Sequence, residues 1–308
     1  MIYKVEFHAM GSSIQVLLEG EESVNPILRE VPNWFEYWET ILSRFRPESE
    51  LSRLNRMTGE AVVVSAVLWD VLQNALRMEN ESDGLVTPGL LDALNSAGYD
   101  RSFELLDGKS FSGQPTNQPS ESLIGQIMMN EKQRSVLLPP GIHLDFGGIG
   151  KGWAAQQTAA ILGKLGPVLV DAGGDIVLRG DLSDGSQWTV GVEDPFHTED
   201  EISQIELTDM GVATSGKNRR HWLKSNIMQH HIIDPRTGSP SAGDVYSATV
   251  IGSNVIKAEM AAKVLVILGS ENGSDWLKER PDLDALLVTT SGEVLRSPGF
   301  SKFERVMQ

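Results

Sequence analysis

Residues 143–162 read HLDFGGIGKGWAAQQTAAIL: a short apolar run, a glycine-rich turn carrying one lysine, and an alanine-rich helix signal. A turn of this kind attracts anions, because N–H groups at a helix start point outward and glycines allow close approach. Two phosphate-binding patterns are tested against it. A Walker A loop ending at Gly150-Lys151 needs glycine at position 145 and Ser or Thr at 152, where the chain has Asp145 and Gly152. A dinucleotide fingerprint starting at Gly148 finds Gly150, then meets Trp153 where a small residue must pack. Both fail. What is left is a turn with an acid (Asp145), a base (Lys151) and several glycines, readable as an anion holder or as a plain strand-to-helix turn.

Downstream of the turn the pattern predicts a helix over about 151–165 and then PVLVDAGGDIVLRG, an apolar strand that breaks at Gly173-Gly174 and resumes. Short strands are expected at 187–193, 204–208, 210–214, 229–233 and 246–251. The stretch SNVIKAEMAAKVLVILG reads as a helix ending at Gly269, followed by a strand around ALLVTT, a Ser-Gly turn and EVLRS. Upstream, residues 1–19 read as a strand pair turning at Gly11. A helix follows, with Ile27, Val31, Trp34, Trp38, Leu42 and Phe45 at helical spacing. SAVLWDVLQNALRMENES is a second amphipathic helix with Ser65 as N-cap. Residues 107–122, rich in Ser, Gly, Gln and Pro, read as a loop. Helices interleaved with hairpin-like strands make the fold class α+β.

The 308 residues, 40% hydrophobic, suffice for one large domain or two intimately packed ones. A formal net charge of −16 and the lack of any Lys/Arg run oppose a nucleic-acid footprint. The absence of cysteine excludes disulfides, thiolate metal sites, a thiol nucleophile and a lipid-modified cysteine. No secretory-type apolar core opens the chain and no membrane span is expected, so the default localisation is cytoplasmic.

Taken in order, AMGSS, LSRFRPESELSRLN, GLVTPGLLDAL, LDFGGIGKG, VDAGGDI, ATSGKNRR and HHIIDPRTG, followed by SATVIG and its Ala-rich helix, resemble the FAD:protein FMN transferase (ApbE) family. The resemblance runs from about residue 8 to 300, which makes the chain a single ApbE-like domain. It implies an α+β flavin-transferase fold of two interlocked subdomains with mostly antiparallel sheets. It implies an enzyme that splits the FAD pyrophosphate and attaches FMN to a Thr or Ser hydroxyl of an acceptor protein through a phosphoester, releasing AMP. Family positions that contact FAD fall on Met10, Leu85, Val86, Thr87, Asp145, Lys151 and near Ile233, and Gly148 sits where a backbone carbonyl reaches magnesium. Rival readings are FAD hydrolysis to FMN and AMP, and a catalytically silent FAD-binding module.

Attack on phosphorus needs a base for the incoming hydroxyl and fixed positive charge around the phosphate oxygens. His231 matches the family's histidine in HIIDPRTG. An ordinary imidazole pKa of ~6.5 suits that role, and Asp234 is placed to orient it. The turn residues Pro235 and Gly238 equally explain the DPRTG segment as local geometry. His230 should point to the opposite face of a strand. Gly173 and Gly174, with Asp175 beside them, form either a bulge or a close approach to flavin. Ser215 can offer a hydroxyl to the ligand, and Arg219 and Arg220 can meet phosphate or solvent.

The chain departs from the family in the Ala-rich helix. Magnesium ligands of the family align with Glu259, Ala262 and Lys263, and Thr87 replaces an aspartate. Glu259 can still give a metal an oxygen, whereas Ala262 cannot and an ammonium repels a hard cation. Two readings stay open: a surface i, i+4 ion pair between Glu259 and Lys263, or Lys263 supplying the charge that the metal otherwise would.

Overall fold

The computed structural model describes residues 1–105, 123, 125–224 and 227–305, so the expected loop at 107–122 lies outside the described residues. The first stretch of chain carries β1 (Ile2–Ala9), β2 (Ser12–Glu19), α1 (Asn25–Leu42), α2 (Glu50–Arg56), β3 (Ala61–Val63), α3 (Ala66–Glu81) and α4 (Leu91–Ala97). There follow β4 (Met128–Asn130), β5 (Ser135–Leu137), α5 (Gly150–Leu162), β6 (Val168–Ala172), β7 (Asp175–Arg179), β8 (Trp188–Glu193) and β9 (Glu201–Leu207). The last third holds β10 (Gly211–Gly216), β11 (His221–Lys224), β12 (Ile227–His230), β13 (Ile233–Asp234), β14 (Ser239–Pro240), β15 (Val245–Gly252), α6 (Val255–Lys278), β16 (Asp284–Thr289) and β17 (Val294–Arg296).

The chain divides into two compact units, each built from segments distant in sequence. One comprises residues 1–34, 151–218 and 242–308, the other 35–150 and 219–241. The first is organised by an eight-stranded sheet in the order β1-β2-β6-β7-β10-β15-β16-β17. Every neighbouring pair in it is antiparallel. The expected α+β class with mostly antiparallel pairing is therefore what forms. Alternation makes the sheet: Ile14, Val16 and Leu18 of β2 are fully buried between more exposed neighbours. Strand β15 is buried along nearly its whole length, Ser247 and Thr249 included, because both of its faces are covered.

Two hairpin tips end this sheet at the same side. β1 turns into β2 through Met10 and Gly11, both at positive φ (52° and 64°), and β6 turns into β7 through Gly173 and Gly174 (70° and 93°). Positive φ at both central residues is what a type I′ two-residue hairpin requires. The glycine pair is thus a tight turn, neither a bulge nor a kink. Because β2 pairs with β6 and Ile14 lies opposite Ala172, the tips are neighbours. A Cβ on Gly173 would come within 2.7 Å of Ser12 Cβ. Helix α6 follows the pattern read from sequence up to Gly269, whose φ of 82° breaks it, and a second helical stretch then continues to Lys278.

The second unit holds the three-stranded sheet β3-β5-β4 and the pairs β11-β12 and β13-β14. Its packing includes a cluster of Leu94, Ala97, Tyr99, Trp222 and Ile233. Trp222 Nε1 donates to the Ala97 carbonyl at 2.8 Å, and the Lys224 ammonium to that of Ser96. Helix α3 starts as its sequence says, with the Ser65 hydroxyl accepting from Leu68 N. The buried stripe of α1 is set one position off the expected one: Leu28 and Phe35 are buried, while Ile27 and Trp34 are half-buried. Val31, Trp38 and Leu42 lie in the core as expected.

Candidate functional site

In the first unit the site is the sheet end bearing the two hairpin tips, the first turn of α5 and the first three turns of α6. Lys151, at the start of α5, is ion-paired with Asp175, the first residue of β7, whose side chain is 4% exposed. One strand over, Ala213 lies opposite Asp175, and Thr214 N donates to the Gly174 carbonyl at 3.1 Å. The Thr214 and Thr249 hydroxyls share a 2.9 Å hydrogen bond, and Ser215 is buried opposite Ala248. On α6, the Lys263 ammonium lies 2.9 Å from Glu259 Oε1, the two side chains being 16% and 1% exposed. This is no surface pair. Glu259 Oε2 is buried and has no hydrogen-bond partner. A Cβ at Gly152 would collide with that same oxygen, so the Glu259 carboxylate sits directly on the first turn of α5.

Two lysines and two carboxylates are therefore gathered at one place. Burial, reinforced by the charge of Asp175, pushes the Glu259 carboxyl up from 4.5 to about 7, against the pull of Lys263 and Lys151. Near neutral pH the cluster accordingly gains or loses one unit of positive charge through this group. Its side chains do not fit a divalent cation. Each carboxylate already has an ammonium partner, Ala262 offers no donor, and the nearby ammonium groups repel a hard ion. Among the described residues no group of three or more His, Cys, Asp and Glu gathers so as to hold a metal ion.

In the second unit the turn at 143–149 is pinned from several directions. Leu144 N and O both bond the Asn55 amide side chain at 2.8 Å, as a neighbouring strand would. Asp145 N donates to the Pro88 carbonyl at 2.8 Å, which ties the turn to the Leu85, Val86, Thr87 segment, all three of which are buried. Asp145 Oδ1 accepts Gly147 N at 2.9 Å, and Arg44 Nε lies 2.8 Å from Oδ2. Ile149 N and Gly150 N both donate to the Phe146 carbonyl. Several of the donors expected to face an anion are thus used within the turn itself.

His231 follows directly after β12. Its Nδ1 is 3.4 Å from the Arg220 carbonyl, and since a carbonyl can only accept, Nδ1 carries the proton and Nε2 is the basic nitrogen. The expected orienting role of Asp234 is not what forms. Its carboxylate is taken up by Arg236, with Nε at 2.9 Å and Nη2 at 2.8 Å. Asp234 stabilises the turn, and the backbone of Arg220 orients the ring. His230 is buried, with Nε2 at 3.0 Å from Ser241 O and Nδ1 accepting from Ile232 N. Ile233 is part of the core, 2% exposed.

Comparison with known proteins places the chain in a family. A model described as the ApbE family matches residues 10–287. The chain belongs to the ApbE family. Among curated relatives of this ApbE-family protein, FAD:protein FMN transferase of Treponema pallidum is 30% identical over 92% of this chain and 83% of its own. That of Klebsiella pneumoniae is 27% identical over 96% of this chain and 92% of its own. In fold, the ApbE protein of Thermotoga maritima superposes with a TM-score of 0.89 at 24% identity, covering 99% of this chain and 100% of that one. The flavin transferase ApbE of Vibrio cholerae superposes with 0.80 at 24% identity, covering 98% of this chain and 99% of that one.

The sequence pointed to Lys151, Asp175, Glu259 and Lys263 and paired Glu259 with Lys263 along one helix, but held no sign that Lys151 and Asp175 join that pair. It missed Arg44, Asn55 and the need for Gly152. Arg44 and Asn55 lie inside the quoted stretch LSRFRPESELSRLN. An arginine beside an aromatic and an asparagine closing an amphipathic helix are the signals that were there to be read. No described helix is long and apolar enough to cross a membrane.

Proposed function

We propose that the protein is an FAD:protein FMN transferase that moves FMN from FAD to a Thr or Ser hydroxyl of an acceptor protein. The reading rests on the match to relatives of that name along nearly the whole chain. His231 Nε2 takes the proton of the attacking hydroxyl. That oxygen bonds the FMN phosphorus, and the bond from phosphorus to the bridging oxygen breaks. AMP leaves with the electron pair. The residues read as holding FAD are Met10, Leu85, Val86, Thr87, Asp145, Lys151, Gly173, Gly174, Asp175, Ser215 and Ile233.

Positive charge at the pyrophosphate comes, in this proposal, from Lys263 with Lys151. Phosphoryl transfer needs fixed charge beside the oxygens that gain electrons, and a preorganised ammonium supplies it. The pairing in the cluster supports the idea: a Glu259 that protonates near neutrality releases Lys263 to face an arriving anion. Magnesium held through Glu259 and the Gly148 carbonyl is the arrangement this reading replaces.

The test is incubation of purified protein with FAD and an acceptor domain, measuring covalent flavin on the acceptor and released AMP, with and without a chelator. The expected result is acceptor-dependent AMP release that survives chelation. AMP release without acceptor would mean a hydrolase. Loss in chelator restored by magnesium would overturn the role of Lys263, and FAD binding without turnover under either condition would mean a silent module.

A further inference from the structure

We infer that Arg44 is a positioning residue for FAD, fixing the Asp145 carboxylate at the head of the glycine turn; the inference rests on the reading of Asp145 as an FAD-side residue. Arg44 and Asp145 form a pair with side chains only 6% and 13% exposed. The guanidinium is held on three sides at once. Nε meets Asp145 Oδ2 at 2.8 Å, Nη1 donates to Asn95 Oδ1 at 3.1 Å, and Nη2 donates to the Tyr99 carbonyl at 2.7 Å. Its plane is flanked by aromatic rings, with the central carbon 4.2 Å from the centroid of Phe45 and 4.6 Å from that of Tyr99.

A buried ion pair adds little net stability over apolar groups of the same volume, because desolvation offsets the attraction. What it supplies here is direction. Asp145 is constrained at its backbone N–H by Pro88, at Oδ1 by Gly147 and at Oδ2 by Arg44. The remaining lone pairs of the carboxylate then have a single orientation, which is the preorganisation a binding group needs. The other anchors of Arg44, Asn95 at the end of α4 and Tyr99 just after it, transmit the position of that helix to the turn. Lysine cannot replace this: it is one point charge, without the planar fork that reaches three acceptors.

The experiment measures the FAD KM and kcat of Arg44→Gln, Arg44→Lys, Asp145→Asn and the Arg44→Gln/Asp145→Asn double variant, at saturating acceptor. Arg44→Gln is expected to raise the FAD KM about tenfold or more with kcat changed less than about threefold. Arg44→Lys, which keeps the charge and folds in the event that Gln does not, is expected to raise it about threefold or more. In the Asp145→Asn background Arg44→Gln should add less than about twofold, since the residue acts through Asp145. An unchanged KM in a folded Arg44→Lys or Arg44→Gln protein, or full additivity with Asp145→Asn, overturns the inference. If Asp145→Asn itself leaves the FAD KM unchanged, the FAD-side reading of Asp145 falls and this inference with it. If Asp145→Asn raises KM and the Arg44 variants do not, only Arg44 is displaced.

Discussion

Replacing Glu259 by Gln tests the charge cluster through stability alone, with no ligand present. The carboxyl is 1% exposed, one oxygen held by Lys263 and the other without a hydrogen-bond partner. In the unfolded chain it ionises near 4.5, and in the fold, where burial raises it most, at about 7. Below pH 4.5 it is neutral in both states. Between the two values the unfolded chain has shed its proton while the fold retains it, so this group's contribution to stability declines as pH rises and levels off above about 7. The gap is worth on the order of 3 kcal/mol. Glutamine has nearly the same shape and does not titrate. The stability of Glu259→Gln relative to wild type should therefore shift in the variant's favour by about 3 kcal/mol between pH 4.5 and pH 8.5, a relative change in melting temperature of roughly 5 °C. Thermal melts of both proteins across buffers of constant ionic strength read this directly. A difference that stays flat across the range, or moves toward the wild type, refutes the picture of a carboxyl held neutral by burial.

Two further outcomes follow from the same geometry. His231→Ala should lower the transfer rate at least about a hundredfold while leaving FAD affinity within a few-fold, because a base acts in the transition state; steady-state kinetics with a competent acceptor check it, and retained turnover would move the base elsewhere. Gly152→Ala should destabilise the fold by about 1–3 kcal/mol, because its methyl group meets the Glu259 carboxylate, which is buried and held by Lys263. Denaturant unfolding measures that cost, and restoration by a second change of Glu259→Ala would locate the clash.

Local signals were legible wherever backbone chemistry alone decides the outcome. Gly11 marks the first hairpin, Ser65 caps α3, and Gly269 breaks α6 with its left-handed angle. The stripe on α1 was misread because Trp34 and Phe35 are adjacent and equally apolar, and only packing selects Phe35. Strands β3, β4 and β5 span three residues each, too few for alternation to register. At the site, residue types were readable and partnerships were not. Nothing local in the sequence says that Arg220 lends His231 its carbonyl, or that Gly152 is small to admit an oxygen from a helix about a hundred residues later. Those facts belong to tertiary contact.

The shared register of β2 and β6 also dictates where this chain can tolerate changes of length. Both hairpin tips hang from that one pairing, with Ile14 opposite Ala172 at the tip end and Leu18 opposite Val168 at the other. Deleting one residue inside β2 would slide the Met10 tip by about 3.3 Å and turn the β2 residues between the deletion and the tip, Ile14 among them, from the core toward the opposite face. An insertion after Glu19, or in the 180–187 connection beyond β7, leaves the tips untouched because those segments leave the sheet at its far end. The sheet thus acts as a ruler fixed at one end: insertions and deletions that keep activity should collect in the connections opposite the tips.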